Sequence, residues 1–200
     1  MLPGFGTTGP KPSDGGLKSS GYAPEDMSHE LGRSLPGFHA GEIARVHAYL
    51  TGRDDISSIV LAVVEDHTDS AMLHAILATA ATAPASTPAK LAIVGGQASL
   101  AAAAQARLYS PDNYWSWVFG LLTVYDKPDA VAAVLSLPKA VDILVLGPLD
   151  EMLRPLSEGV AKEVYAFASS VGSGRLAVQA GGPAGALAAI SKWFAGGAGA

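Results

Sequence analysis

The chain has 200 residues, 49% of them hydrophobic, a net charge of −5 and no cysteine. Its length suits one domain of about 150 residues with an appendage. The even spread of charge, with no basic block, argues against a nucleic-acid or anionic-membrane footprint, and the lack of cysteine excludes disulfides, thiolate zinc sites and iron–sulfur clusters.

Residues 1–40 read as an extended Gly/Pro/Ser-rich arm. Within 1–37 there are eight glycines and five prolines among few large apolar side chains. Such a segment buries too little surface to offset its ordering entropy, so it reads either as a flexible tail or as an arm that takes its shape from contact with its own domain or with a partner. It has neither the apolar core of a signal peptide nor the Arg-rich, acid-poor character of a transit peptide. No apolar run reaches the roughly 18 residues that a membrane span needs.

Residues 41–195 read as an α/β domain, with a flexible tail at 196–200. Gly41 to Leu50 predicts a short helix with Ile43, Val46 and Leu50 on one face. Ile59 to Val64 is apolar without alternation, which predicts a strand buried on both faces, as in parallel sheets. It runs into Glu65-Asp66-His67-Thr68-Asp69-Ser70. Asp69 or Ser70 is then placed to cap a helix carrying Met72, Leu73, Ile76 and Leu77.

Two prolines close the loop Ala83 to Pro88. Lys90 to Gly96 predicts a second strand, and Gln97 to Leu108 an alanine-rich helix. Bulky, β-branched Val118 to Tyr125 predicts a third strand. Asp126 to Asp129 is a turn, and Pro128 opens a short helix to Leu137. Val141 to Leu146 predicts a fourth strand. Asp150 to Ala168 has helical periodicity, with Leu153, Leu156, Val160, Val164 and Phe167 as its buried stripe. Gly172-Ser173-Gly174 ends it, Arg175 to Gln179 predicts a fifth strand, and a last helix runs to about Phe194.

Strand–helix alternation predicts a doubly wound, Rossmann-like parallel sheet of about five strands in three layers. The carboxyl ends of the strands then share one rim, where a ligand would sit at a reversal of strand order. The rim candidates are Glu65 and His67 from the first strand, with Asp66 between them. Gly95, Gly96 and Gln97 follow the second strand, Asp126 the third, Gly147 the fourth, and Gly181 with Gly182 the fifth. Glycine turns can bare backbone N–H groups to a phosphate. The sequence Gly-Gly-Gln-Ala-Ser is neither a dinucleotide fingerprint nor a P-loop, and the steric need of a tight turn weighs more. Glu65 to Asp69 offers metal-type and proton-transfer ligands, but successive residues at a strand end diverge, so capping and solvation weigh more and no metal is assigned. His29, His39, His47 and His74 read as surface or packed residues. Trp115, Trp117, Phe119 and Tyr125 read as part of a buried strand rather than a stacking platform. Ser99 and Ser157 lack the elbow of a catalytic nucleophile.

The order IVLAVVEDHTDSAMLHAILATAATA, KLAIVGG and DILVLGPLDEMLRPLSEGVAKEV, with RLAVQAGGPAGALAAI behind it, resembles the N-terminal domain of the electron-transfer flavoprotein alpha subunit over roughly residues 57–190. In that family the later helix bears an arginine, matched here near Arg154-Pro155-Leu156. The family carries its flavin on a second, C-terminal domain, which this chain is expected to lack. No flavin motif has a counterpart here, so no cofactor is assigned. The resemblance implies the scaffold half of an electron carrier, on the mitochondrial matrix side or in a bacterial cytoplasm. The expected role is a non-catalytic accessory subunit of a larger assembly, meeting other protein subunits through the N-terminal arm and the sheet-flanking helices. The alternatives are a nucleotide- or phosphate-binding domain, or a partial flavoprotein completed by another chain.

Overall fold

A computed structural model describes residues 32–64, 68–110, 116–182 and 185–196. The first helix, α1 (Leu35–Thr51), starts six residues before the predicted domain boundary. Ser34 explains the early start: its side chain accepts from the Gly37 amide at 3.1 Å, and Pro36 in the first turn has a preset φ.

Four strands follow: β1 (Val60–Val64), β2 (Lys90–Val94), β3 (Asp142–Leu146) and β4 (Leu176–Gln179). They form one parallel sheet in the order β1-β2-β3-β4. Between them lie α2 (Asp69–Thr82), α3 (Leu100–Gln105), α4 (Lys127–Leu135), α5 (Glu158–Val164) and α6 (Ala166–Ser170), and α7 (Ala186–Ala195) comes last.

Strand alternation sorts the core into two faces. On the front, Val63, Leu91, Ile93, Ile143, Val145 and Val178 meet Leu73 and Ile76 of α2, Val131 and Leu135 of α4, and Tyr165 and Ala168 beside them. The crossover helices α2, α4, α5 and α6 therefore lie on one face, as crossovers of one hand between adjacent strands require. On the back, among the described residues, Ala92, Val94, Leu144 and Leu146 meet α7 through Ala186 and Ile190. The sheet has three layers, but its order never reverses among the described residues, so the crevice of a doubly wound sheet has no counterpart there.

The predicted strand over 118–125 does not form. The backbone turns at Gly120, where φ is +75°, and makes a 3-10 turn over Leu121–Thr123. Phe119 and Val124 stay exposed. The predicted helix from Asp150 begins only at Glu158, beyond Pro155, and breaks at Tyr165. Its buried side is Ala161, Tyr165 and Ala168, while Val160 and Phe167 face solvent.

The chain between β3 and α5 is shaped by Asp150. Its carboxylate accepts from the Met152 and Arg154 amides, each at 2.8 Å, and from Arg154 Nε at 2.8 Å, and Leu153 is held at φ +59°. Burial pushes the Asp150 carboxyl up, but the bonds from Arg154 and Met152 outweigh it and hold it below its ordinary value of 3.8. An acid held low stabilises the fold above that ordinary value, and the contribution is lost as pH falls through the lowered one. Asp150→Asn is expected to cost about 1–2 kcal/mol at neutral pH. The gap from wild type should close as urea titrations are carried down in pH through the lowered value, below the ordinary 3.8.

Candidate functional site

Glu65 and His67, with Asp66 between them, lie outside the described residues. Gly95, Gly96, Gly147 and Gly181 do gather at the carboxyl rim, where the amides of Gly95 and Gly147 serve the sheet. The Gly95 amide donates to Leu146 O at 3.0 Å and the Gly147 amide to Gln179 O at 2.8 Å, extending the sheet. A Cβ on Gly147 would sit 2.2 Å from Gly181 O, and one on Gly96 would sit 2.3 Å from Asp69 Oδ2. These glycines let backbones and a carboxylate approach closely, which is the steric role.

What the rim assembles is a buried polar cluster. Asp69 opens α2 but does not cap it: Thr68 is the cap residue and makes no side-chain bond. The Asp69 carboxylate accepts from the Ser70 amide at 2.7 Å through Oδ1 and pairs with Lys127 Nζ at 2.8 Å through Oδ2, both side chains being 3–4% exposed. Lys127 also donates to Gln97 O at 2.7 Å. One ammonium thus ties together the start of α2, the turn that follows β2 and the start of α4.

Asp126, expected to end a strand, serves two helices instead. It accepts from Ser99 Oγ at 2.5 Å and from the Leu100 amide at 2.8 Å. It also forms a capping box with Asp129 at the start of α4. Tyr165 is buried nearby. Burial first, and then the charges of Asp69 and Asp126, push its hydroxyl well above the ordinary value, so it stays protonated.

His74 and Tyr125 pin the 116–125 segment to α2. His74 Nδ1 lies 2.5 Å from Ser70 O, which can only accept, so Nδ1 carries the proton. Nε2 then accepts from the Tyr125 hydroxyl at 2.5 Å. Burial raises the Tyr125 hydroxyl above its usual value, which keeps that donor in place. Of the aromatic residues in this region, Trp117 packs against Tyr109 and Tyr125 against His74, and Trp115 lies outside the described residues.

The cluster's Asp69, Ser70, Gln97, Lys127 and Tyr165 side chains are buried. The Gln97 amide and the Ser70 hydroxyl are buried without protein partners. Its chemistry is that of a lock between loops. Lys127 stands in an Asp-Lys-Pro-Asp turn, and such turns usually expose a lysine, so no sequence signal marks it as buried. Among the described residues no group of three or more His, Asp and Glu side chains could hold a metal ion, and no helix is long and apolar enough to cross a membrane.

A second concavity lies at the opposite, amino end of the strands. It is formed by the end of α1 and the segments entering β1, β2 and β3. His47 lines it, 4% exposed, where the sequence places a surface or packed histidine. Comparison with family models, with curated proteins and with solved structures gives no match for the chain.

Proposed function

We propose that the chain is a non-catalytic subunit that docks another protein against the open side of its sheet. The observation that carries this reading is the back face of β1. Strands of parallel sheets are normally covered on both faces. Here α7 covers β2 and β3, but Val60 and Val64 are 43% and 41% exposed and Ala62 between them is exposed too. The outer edge of β1 has no strand beside it among the described residues, and an open apolar edge is a site for pairing with another chain.

A second exposed apolar area, with Phe119 at 73% and Val124 at 78%, adds to the surface available for assembly. The resemblance to the flavoprotein alpha subunit supports the same reading: a Rossmann-like scaffold half, serving as a docking module within a multisubunit complex. The N-terminal arm and the sheet-flanking helices would extend that contact. The mitochondrial matrix side or a bacterial cytoplasm is part of the proposal through that kinship alone.

The alternative, a nucleotide- or phosphate-binding rim in an enzyme or a partial flavoprotein, has less behind it, because the Gly95 and Gly147 amides are already engaged. Affinity capture of the full chain separates the two. The Val60→Lys/Val64→Lys variant is expected to keep the wild-type melting temperature, since solvent-facing substitutions shift stability by about 0.5 kcal/mol or less. It should lose the captured subunit. Retention of that subunit by the variant, or a flavin absorbance band in the wild-type complex, would overturn the non-catalytic docking role.

A further inference from the structure

The last helix, α7, is apolar on all but one flank, and a helix apolar all round is a buried one. Here it covers the sheet with one side only. Ala186 and Ile190 are buried against β2 and β3, while Leu187, Ala188, Ser191 and Ala195 are exposed, Leu187 at 77%. Lys192 is its one charged residue. The helix is also held fast. Lys90 Nζ donates to the carbonyls of Trp193 at 3.0 Å and Phe194 at 3.2 Å, satisfying its C-terminal end, and the Arg175 guanidinium lies over the Trp193 ring at 4.3 Å.

The flanks of α7 follow from about 100° of turn per residue. With Ala186 and Ile190 toward the sheet, Leu187, Ser191 and Phe194 line one flank, and Ala189 and Lys192 the other. Trp193 leans to the second flank, and its partner Arg175 leads into β4, so that flank faces β4 and the first faces β1. Leu187 therefore stands beside the bare strip of Val60, Ala62 and Val64. Ala188 and Ala195 point away from the sheet.

One molecule thus leaves two surfaces uncovered, a strip of sheet without a helix and a helix without a second sheet. Helices pack side by side at about 8–10 Å and strands lie about 4.8 Å apart, so beside α7, centred over β2 and β3, there is room for one further helix over β1. We infer that a second copy of this chain fills it, related by a two-fold axis. The α7 of each copy lies on the back of β1 of the other, and the two α7 helices meet along their Leu187 flanks between the two sheets. This rests on the open face of β1 as a docking surface and names its occupant. A foreign helix on β1 would leave the outer side of α7 bare, and edge-to-edge pairing of two β1 strands would leave both surfaces bare. Charge agrees. Near a two-fold axis a residue meets its own copy, so a charge there would repel itself; Val60 to Val64 carries none, and Lys192 lies on the flank turned away from the axis.

Sedimentation equilibrium of the full chain from about 1 to about 100 μM tests it. The wild type is expected to run as two chains per particle in the upper part of that range. Val60→Lys/Val64→Lys and Ala188→Glu/Ser191→Glu, all at exposed positions, should each sediment as single chains with wild-type circular dichroism. An equimolar mixture of the two variants should recover the two-chain particle. In the mixed pair one helix-on-strand contact is native, and the other sets lysines against glutamates. A wild type that stays a single chain throughout, or a mixture of folded variants that fails to pair, overturns the two-fold assembly. A single-chain wild type that captures a different polypeptide, and loses it in the Val60→Lys/Val64→Lys variant, overturns the second copy alone and leaves the docking face in place.

Discussion

Replacing Lys127 with Met is expected to destabilise the protein by about 3–5 kcal/mol. The Asp69–Lys127 pair is 3–4% exposed, so removing the ammonium leaves an unpaired carboxylate in a buried site facing Gly96. It also leaves Gln97 O without the donor it has at 2.7 Å. For a chain of this size the loss corresponds to a fall in melting temperature of about 10 °C. Breaking one partner of a buried pair is far worse than removing both, because the uncompensated charge is what costs most. The double variant Asp69→Leu/Lys127→Met should therefore be more stable than Lys127→Met alone. Urea denaturation of wild type, both singles and the double gives the coupling directly. A double variant whose loss merely sums the two single losses would show that the pair does not act as a lock.

Where sequence and structure agree, the reason is local. Leu91-Ala92-Ile93-Val94 and Ile143-Leu144-Val145-Leu146 are unbroken apolar runs, and they occupy the two central strands, buried on both faces. Ile59 to Val64 looks the same in one dimension but lies at the edge, and its alternate residues are exposed. Nothing in the run itself distinguishes a central strand from an outer one, since that depends on which segments arrive beside it. The aromatic stretch 117–125 has strand-like composition, but Gly120 takes a left-handed turn, so Leu121 and Tyr125 turn inward while Phe119, Leu122 and Val124 stay exposed.

The helix of residues 158–170 is turned by one residue from its predicted face. The sequence stripe follows the largest side chains, whereas the fold buries Ala161 and Ala168, small residues that let the helix approach the sheet closely around Tyr165. At the rim, the glycines are legible as turn residues. The ion pair is not, because Asp69 and Lys127 are 58 residues apart in sequence and each has an ordinary local role as a helix-start residue. His47 follows the same logic: it sits on a helix surface in sequence, and only the convergence of three loops buries it.

Gly147→Ala is the second change expected to have a large effect, a loss of about 3 kcal/mol or more. Two independent strains combine there. The φ of +59° costs a residue with a Cβ about 1–2 kcal/mol. The added carbon would also meet Gly181 O at 2.2 Å, a backbone atom that moves only if the ends of β3 and β4 separate and the Gly147 amide leaves Gln179 O. Gly120→Ala provides the control. It has a similar φ of +75° with nothing within 4 Å of the added carbon, so it should lose only about 1 kcal/mol. The difference between the two melting curves isolates the steric contact from the backbone preference. It also bears on function, because a phosphate-binding glycine and a packing glycine respond differently. A packing glycine loses stability whether or not a nucleotide is present. If Gly147→Ala instead melts like Gly120→Ala while adenine nucleotide protects only the wild type, the close approach at the rim serves a ligand rather than the fold.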